Sequence, residues 1–309
     1  MENGLAENSY MFKEAAVAPA CVEEQLRCNH DTVGRLARRL RSLSPRVIFT
    51  CARGSSGHAA TYAKYLFEVH LGIPVVPFAP SVSSMYGKGQ FAGDSVVLAI
   101  SQSGASPDIL SVVTRAKTQG ALTIALTNCL DSPLARLADE VLPMHAGREQ
   151  SVAATKSYIT SLTAIASLVA HYCQDGHLLQ GMEALPEQLA SAWQLRWTSA
   201  EKVLSSASNM YVLGRGAGLG IAREAALKFK ECCGLHAEAF SAAEVIHGPL
   251  ALVREGFPVL IFAQTDEMLE SLVTLAQRCE GQGARCLVAG TGAQGSLPTI
   301  QTLPALEPI

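Results

Sequence analysis

The run Ser101-Gln102-Ser103-Gly104-Ala105-Ser106-Pro107-Asp108 sets three hydroxyls, an amide and a glycine directly after an apolar stretch, 96–100, and directly before a helical pattern. Ser106 stands where an N-cap belongs and Pro107 where the first helical residue belongs, so a helix starts there. Backbone N–H groups at such a start, the positive end of the helix dipole and the hydroxyls converge in front of the turn. That arrangement suits a phosphate ester without any lysine. A plain capped turn would account for Ser106 alone, but not for Ser101, Gln102 and Ser103 beside it. Arg53-Gly54-Ser55-Ser56-Gly57 repeats the pattern after the stretch 46–50. In an open parallel sheet, loops at the carboxyl ends of the strands face one crevice, so the two serine loops can share a ligand.

The second half of the chain offers different chemistry. Lys228 and Glu231 are three apart in a helical pattern and share a face, as a surface ion pair or as a proton-transfer group with its partner. Ser241-Ala242-Ala243-Glu244 reads as a capping box, and Gly248-Pro249 ends the helix soon after. His247 is then either an ordinary solvent-facing histidine or a group held at a helix C-terminus, where the dipole favours its protonated form. The loop Gln264-Thr265-Asp266-Glu267 corresponds to the first serine loop, and its carboxylates would repel a phosphate. Only the first half is therefore expected to hold one. Gly214-Arg215-Gly216-Ala217-Gly218-Leu219-Gly220 has its third glycine misplaced for a dinucleotide fingerprint, so no nucleotide is required.

These loops need elements to hold them, and the patterning supplies βαβ units. Strands are predicted at 46–50, 73–77, 95–100, 122–126 and 140–143, with helices at 58–71 and 107–120 and a long amphipathic helix through 158–172. The segment 174–208 reads as helical, with Pro186 as a boundary. Beyond it the pattern restarts: Met210-Tyr211-Val212-Leu213-Gly214-Arg215-Gly216 mirrors 47–54 and 222–229 mirrors 60–67. Strand runs at 258–262 and 283–289 then echo 95–100 and 120–126 at a nearly fixed offset. Such ordered self-similarity is the mark of internal duplication. The predicted architecture is α/β, with a helical lead-in over 1–30, a first domain over 31–185 and a second over 186–309.

Composition narrows the function classes. With 24 Lys+Arg against 27 Asp+Glu, no basic field exists for nucleic acid or an anionic membrane. A chain that is 49% hydrophobic and 17% charged buries a large core, which excludes a disordered role. No apolar run reaches the ~18 residues of a transmembrane helix. The polar start Met1-Glu2-Asn3-Gly4 is unlike a secretory signal, and nine cysteines without a Cys-x-x-Cys read as reduced, mostly buried thiols of a cytoplasmic protein.

At five ordered motifs the chain resembles the tandem sugar isomerase (SIS) domain family. The likeness is strongest to the isomerase half of glucosamine-fructose-6-phosphate aminotransferase and to stand-alone glucosamine-6-phosphate deaminases. The motifs are Ser101–Gly104, Ala154–Lys156, Ala226–Glu231, His236–Ala239 and His247–Ala251. The resemblance implies two tandem SIS domains, each a flavodoxin-like parallel-sheet αβα sandwich. It implies phosphate binding at Ser55, Ser56, Ser101, Gln102, Ser103 and Ser106, and a backbone contact to the sugar at Val152, with Ala154 replacing a serine usual in the synthase. Glu231 matches the proton-transfer carboxylate, Lys228 a residue near the substrate amine, and His247 the ring-opening group. The implied reaction is isomerising deamination of an amino-sugar phosphate in a homodimer with shared active sites, with no metal or redox cofactor. A fructosamine-phosphate deglycase and a non-catalytic sugar-phosphate sensor remain the alternatives. The synthase adds a glutaminase domain with a cysteine nucleophile at its start. This sequence shows no counterpart, so ammonia drawn from glutamine is not expected. The family also continues into a C-terminal helix and a lysine-bearing tail, which are read as missing here because the sequence stops at Pro308-Ile309.

Overall fold

The computed structural model describes residues 8–290, Ala293 and the backbone of 301–303, and the chain divides at Glu187 and Gln188 into two compact units. Pro308-Ile309, the end of the sequence, lies outside the described residues. The first unit opens with α1, Tyr10–Ala16, and α2, Ala18–Leu43. In α2 the buried residues Val22, Gln25, Asn29, Val33, Leu36 and Leu40 recur every three or four positions and form one inward stripe. The two buried amides on that stripe tie α2 to the rest of the unit: Gln25 donates to the carbonyl of Thr160 at 2.8 Å and Asn29 to that of Pro143 at 2.7 Å. α2 is continuous through residue 30, where the sequence reading ends its lead-in.

The first sheet then alternates strand and helix: β1 Val47–Cys51, α3 Ser55–Leu66, β2 Val75–Pro77, α4 Pro80–Ser84, β3 Ser95–Ile100, α5 Pro107–Thr118, β4 Leu122–Thr127, α6 Pro133–Leu137 and β5 Glu140–Pro143. All pairings are parallel, in the order β2-β1-β3-β4-β5. Every residue of β3 and β4 is buried, as expected of central parallel strands covered on both faces. On one face Cys51, Val97, Ala99 and Ala125 pack against Ile109, Val112, Val113 and Ala116 of α5. On the other, α3 lies on β1 and β3, and α7, Lys156–Cys173, packs against α3 and α2. The last helix to start in this unit, α8, spans Gly176–Trp193 and carries Pro186 in its interior. The proline, expected to be a boundary, does not break it. The loss of one N–H bond is borne by a helix whose preceding turn buries Met182 and Leu185.

The second unit runs α9 Thr198–Leu204, β6 Asn209–Gly214, α10 Gly218–Cys233, β7 His236–Ser241, two 3-10 turns, β8 Pro258–Phe262, α11 Leu269–Gly281, β9 Arg285–Ala289 and β10 Gln301–Leu303. Its order, β10-β9-β8-β6-β7, is the first sheet's order repeated, so the duplication holds at the level of topology. Here the alternation of faces is explicit. Met210, Val212, Leu260 and Leu287 join Ala222 and Ala226 of α10, whereas Tyr211, Leu213, Val259, Ile261 and Val288 join Leu272, Leu275 and Ala276 of α11. β7 had no strand signal in the sequence. It is an edge strand paired only with β6, and of its residues only Ala237 is fully buried, so it lacks the apolar run that marks the inner strands. Among the described residues no helix is long and apolar enough to cross a membrane. None of the nine cysteines is in a disulfide, but only Cys51, Cys279 and Cys286 are buried, which corrects the expectation of mostly buried thiols. Burial pushes the Cys51 thiol up to about 12.

Candidate functional site

In the order β2-β1-β3-β4-β5 the chain leaves β1 and β3 in opposite directions, so the loops 52–54 and 101–106 diverge at a switch point, the usual ligand crevice of an open α/β sheet. The crevice is open. A cavity of about 80 Å³ lies there, lined by Arg53, Ser55, Ser56, Gln102, Met144, Ala154, Ser157, Tyr158 and Ser161. Ser55, Ser56 and Gln102, from the predicted set, therefore meet in one place. The serines stand in the first turn of α3, whose entry is shaped by Gly54 with a positive φ of 55°.

The remaining cradle residues have different duties. Ser101 is buried, and its Oγ accepts the backbone N–H of Gly104 at 3.1 Å, which tightens the turn. Ser103 is exposed and its Oγ accepts the N–H of Ala105 at 3.4 Å. Ser106 is the N-cap residue of α5 in position, as expected, but its side chain makes no capping bond. Neither Ser101, Ser103 nor Ser106 lines the cavity itself. Gly104 is required: its φ is 60°, and a Cβ there would stand 2.1 Å from Ser132 Oγ. Arg53 of the first loop pairs with Asp108 in the first turn of α5, joining the two sides of the crevice.

The third wall is the loop 145–155. Val152 in this loop is 97% exposed and does not line the cavity, whereas Ala154 does. Two carboxylates pin the loop. Buried Glu14 from α1 accepts the N–H groups of Gln150, at 2.5 Å, and Ser151, at 3.2 Å. Glu149 accepts the N–H of Thr155 at 2.8 Å and the hydroxyl of Ser157 at 2.5 Å, and so caps α7 in place of a cap residue. Buried Lys156 donates to the carbonyl of Arg148 at 2.7 Å. Sequence reasoning missed Arg53, Glu14, Glu149 and Ser157. The proximity of Arg53 to two serines was the one signal available for any of them.

The equivalent crevice in the second unit is plugged. Gln264 donates to the carbonyl of Arg215 at 2.6 Å across the loops after β8 and β6. A Cβ on Gly218 would come within 2.7 Å of the Gln264 side-chain oxygen, so the glycine there permits this close packing. Asp266 sits beside the plug, accepting the N–H of Met268 at 2.8 Å.

On α10 the pair read from the sequence is a cluster of three. Lys228 Nζ lies 2.7 Å from Glu231 and 3.2 Å from Glu224. Its burial disfavours the charge, but the hydrogen bond to Glu231 and the charge of Glu224 prevail and hold its pKa above the ordinary lysine value. Glu224 is itself buried, while Glu231 is partly open, so the cluster shows solvent one carboxylate and keeps the other inside. Glu224 was missed although it is four residues from Lys228, on the same helical face. His247 departs from its expected setting. Ser241 ends β7 and its Oγ accepts the N–H of Ala243 at 3.4 Å, so no capping box forms with Glu244. Val245–His247 is a single 3-10 turn with His247 exposed, and three residues carry no appreciable helix dipole.

Residues 43–171 and 203–297 match the SIS domain family. The glutamine–fructose-6-phosphate aminotransferase (isomerizing) of Sulfurisphaera tokodaii is 32% identical over 315 residues, covering 96% of this chain and 52% of the relative. The chain thus spans about half the length of the curated relatives it matches. A solved candidate phosphosugar isomerase from Silicibacter pomeroyi superposes with a TM-score of 0.91 at 40% identity, over 96% of this chain and 89% of that one. The C-terminal domain of glucosamine-fructose-6-phosphate aminotransferase from Francisella tularensis superposes with a TM-score of 0.83 at 26% identity, with the same coverage. Two matched segments on two sheets of one topology make this chain a member of the SIS domain family, with two SIS folds in tandem.

Proposed function

We propose that the protein is a phosphosugar isomerase that converts an amino-sugar 6-phosphate, glucosamine 6-phosphate, into fructose 6-phosphate and ammonia. The observation that carries the reading is the contrast between two crevices of identical topology. One is open and lined by Ser55, Ser56, Gln102 and Arg53, and the other is plugged by Gln264 beside Asp266. Relatives named for fructose-6-phosphate chemistry and a 40%-identical structural neighbour described as a phosphosugar isomerase support the substrate class. For the reaction, Glu231 is a partly exposed carboxylate whose hydrogen bond to Lys228 keeps it oriented. In the proposed sequence His247 assists ring opening. Glu231 then takes the C2 proton to give an enolamine and returns a proton at C1, and water hydrolyses the resulting C2 imine, releasing ammonia.

The test is steady-state assay of ammonia and fructose 6-phosphate. Ser55→Ala and Ser56→Ala should each raise KM about 10-fold or more, because a hydrogen bond to a charged group is worth about 1.5–3 kcal/mol. Equal turnover of unphosphorylated glucosamine by the wild type would remove the phosphate from the reading.

The proposal includes a homodimer in which His247 completes the partner's site. His247 stands exposed on its turn between Ile246 and Leu252, two exposed apolar side chains that a second copy would cover. Mixing inactive Glu231→Gln with inactive His247→Ala, with subunit exchange verified, should restore about a quarter of wild-type activity. Mixtures that stay inactive place both residues in one chain's site.

A further inference from the structure

Arg53 is the one cation among the residues lining the crevice cavity; its other polar groups are hydroxyls and the Gln102 amide. Those donors are neutral, whereas a phosphate monoester carries about −1.5 to −2 charge at pH 7. The Arg53 guanidinium already holds an anion: its Nη2 pairs with Oδ2 of Asp108, which projects from the first turn of α5 on the far side of the crevice. The two side chains are 56% and 35% exposed, so neither is locked by packing and the pair can be exchanged for another. A carboxylate and a phosphate competing for one guanidinium repel each other, and the phosphate offers the fork a planar pair of acceptors with the greater charge.

We propose that Arg53 is the residue that selects for a phosphorylated ligand in this crevice, and that Asp108 is its resident counter-ion, displaced when the phosphate monoester enters. This rests on the proposed function, since it assumes that the crevice is where a sugar phosphate binds. The empty crevice is thereby kept neutral, and a sugar without phosphate, unable to displace Asp108, gains nothing from Arg53. Asp108 thus sets the threshold that an anion must exceed.

The prediction has opposite signs for the two partners. Arg53→Gln should weaken binding of inorganic phosphate, followed by titration calorimetry or by competition against turnover, about 10-fold or more. Asp108→Asn should tighten it about 3- to 10-fold and lower KM for glucosamine 6-phosphate. The double variant should match Arg53→Gln, because without the cation the counter-ion has nothing to withhold. Wild-type affinity should also fall with added salt more steeply than that of Arg53→Gln. If the pair were only a staple between the two loops, both single variants would weaken phosphate binding and lower the melting temperature. That result, or unchanged affinity in Arg53→Gln, overturns the inference and leaves the proposed function standing. A wild-type protein that binds neither inorganic phosphate nor glucosamine 6-phosphate overturns both.

Discussion

Glu231→Gln is expected to lower kcat for glucosamine 6-phosphate by roughly 10²- to 10⁴-fold, the range that a positioned general base contributes, with KM within about twofold of wild type. The amide keeps the shape of the carboxylate and can still meet Lys228, which lies 2.7 Å away. Lys228 also retains Glu224 at 3.2 Å, so the substitution removes one charge from the cluster and leaves a neutral pair. The fold should therefore tolerate it. Because Glu231 is partly open to solvent, its neutral form carries little desolvation cost. Lys228→Met is the contrasting case: it would take the cation from 3.2 Å away from buried Glu224, and a loss of activity there would report unfolding as readily as chemistry. A Glu231→Gln protein that folds, binds and turns over at the wild-type rate would reduce the cluster to a structural ion pair and leave a sugar-phosphate sensor as the better reading.

The second large effect falls on the turn behind the crevice. Gly104→Ala would place a methyl 2.1 Å from Oγ and 2.6 Å from Cβ of Ser132, at a φ of 60°. Ser132 cannot easily retreat, because it is buried and its Oγ accepts the N–H of Ala135 at 3.2 Å as the N-cap of α6. The turn is tied as well, with the Gly104 carbonyl accepting the N–H of Leu134 at 3.0 Å. Left-handed backbone costs an L-residue about 1–2 kcal/mol and overpacking about 1–3 kcal/mol, so a loss of roughly 2–5 kcal/mol is expected. For a domain of this size that is a fall in Tm of about 5–20 °C, together with loss of phosphate binding in whatever fraction folds. Gly176→Ala is the control, since its added methyl meets nothing within 4 Å and its φ is not positive. A Tm for Gly104→Ala within about 2 °C of the control would show that loop 101–106 relaxes freely and that its shape does not depend on the glycine.

The duplicated α/β architecture was legible in the sequence because its signals are local. Short, mostly apolar runs mark β3, β4, β6 and β8, a period of three to four marks α7, and the recurrence of the runs in order marks the duplication. The position of the α5 start was legible for the same reason, as Ser106 and Pro107 act on their own neighbours. Local rules also misled where the tertiary setting outweighed them. The capping box at Ser241 lost its helix because β7 claims Ser241 for the sheet edge, and Pro186 failed to end α8.

What the tertiary structure alone decided is which loops meet and which crevice stays open. Glu14 reaches Gln150 and Ser151 across more than a hundred residues of chain, and Gln264 reaches Arg215 across 49. No periodicity encodes such pairs, because a hydrogen bond needs only proximity in space and either partner would look like any polar loop residue. The sequence by itself determined two duplicated α/β units, the serine-rich turns of the first, and the Lys228–Glu231 face on α10. That the first crevice is lined by Arg53 with Asp108 across it, while the second is filled by Gln264, followed from loops brought together at the carboxyl ends of parallel strands. At such a switch point neighbouring loops leave their strands in opposite directions, so the space between them is set by side chains that are distant in sequence.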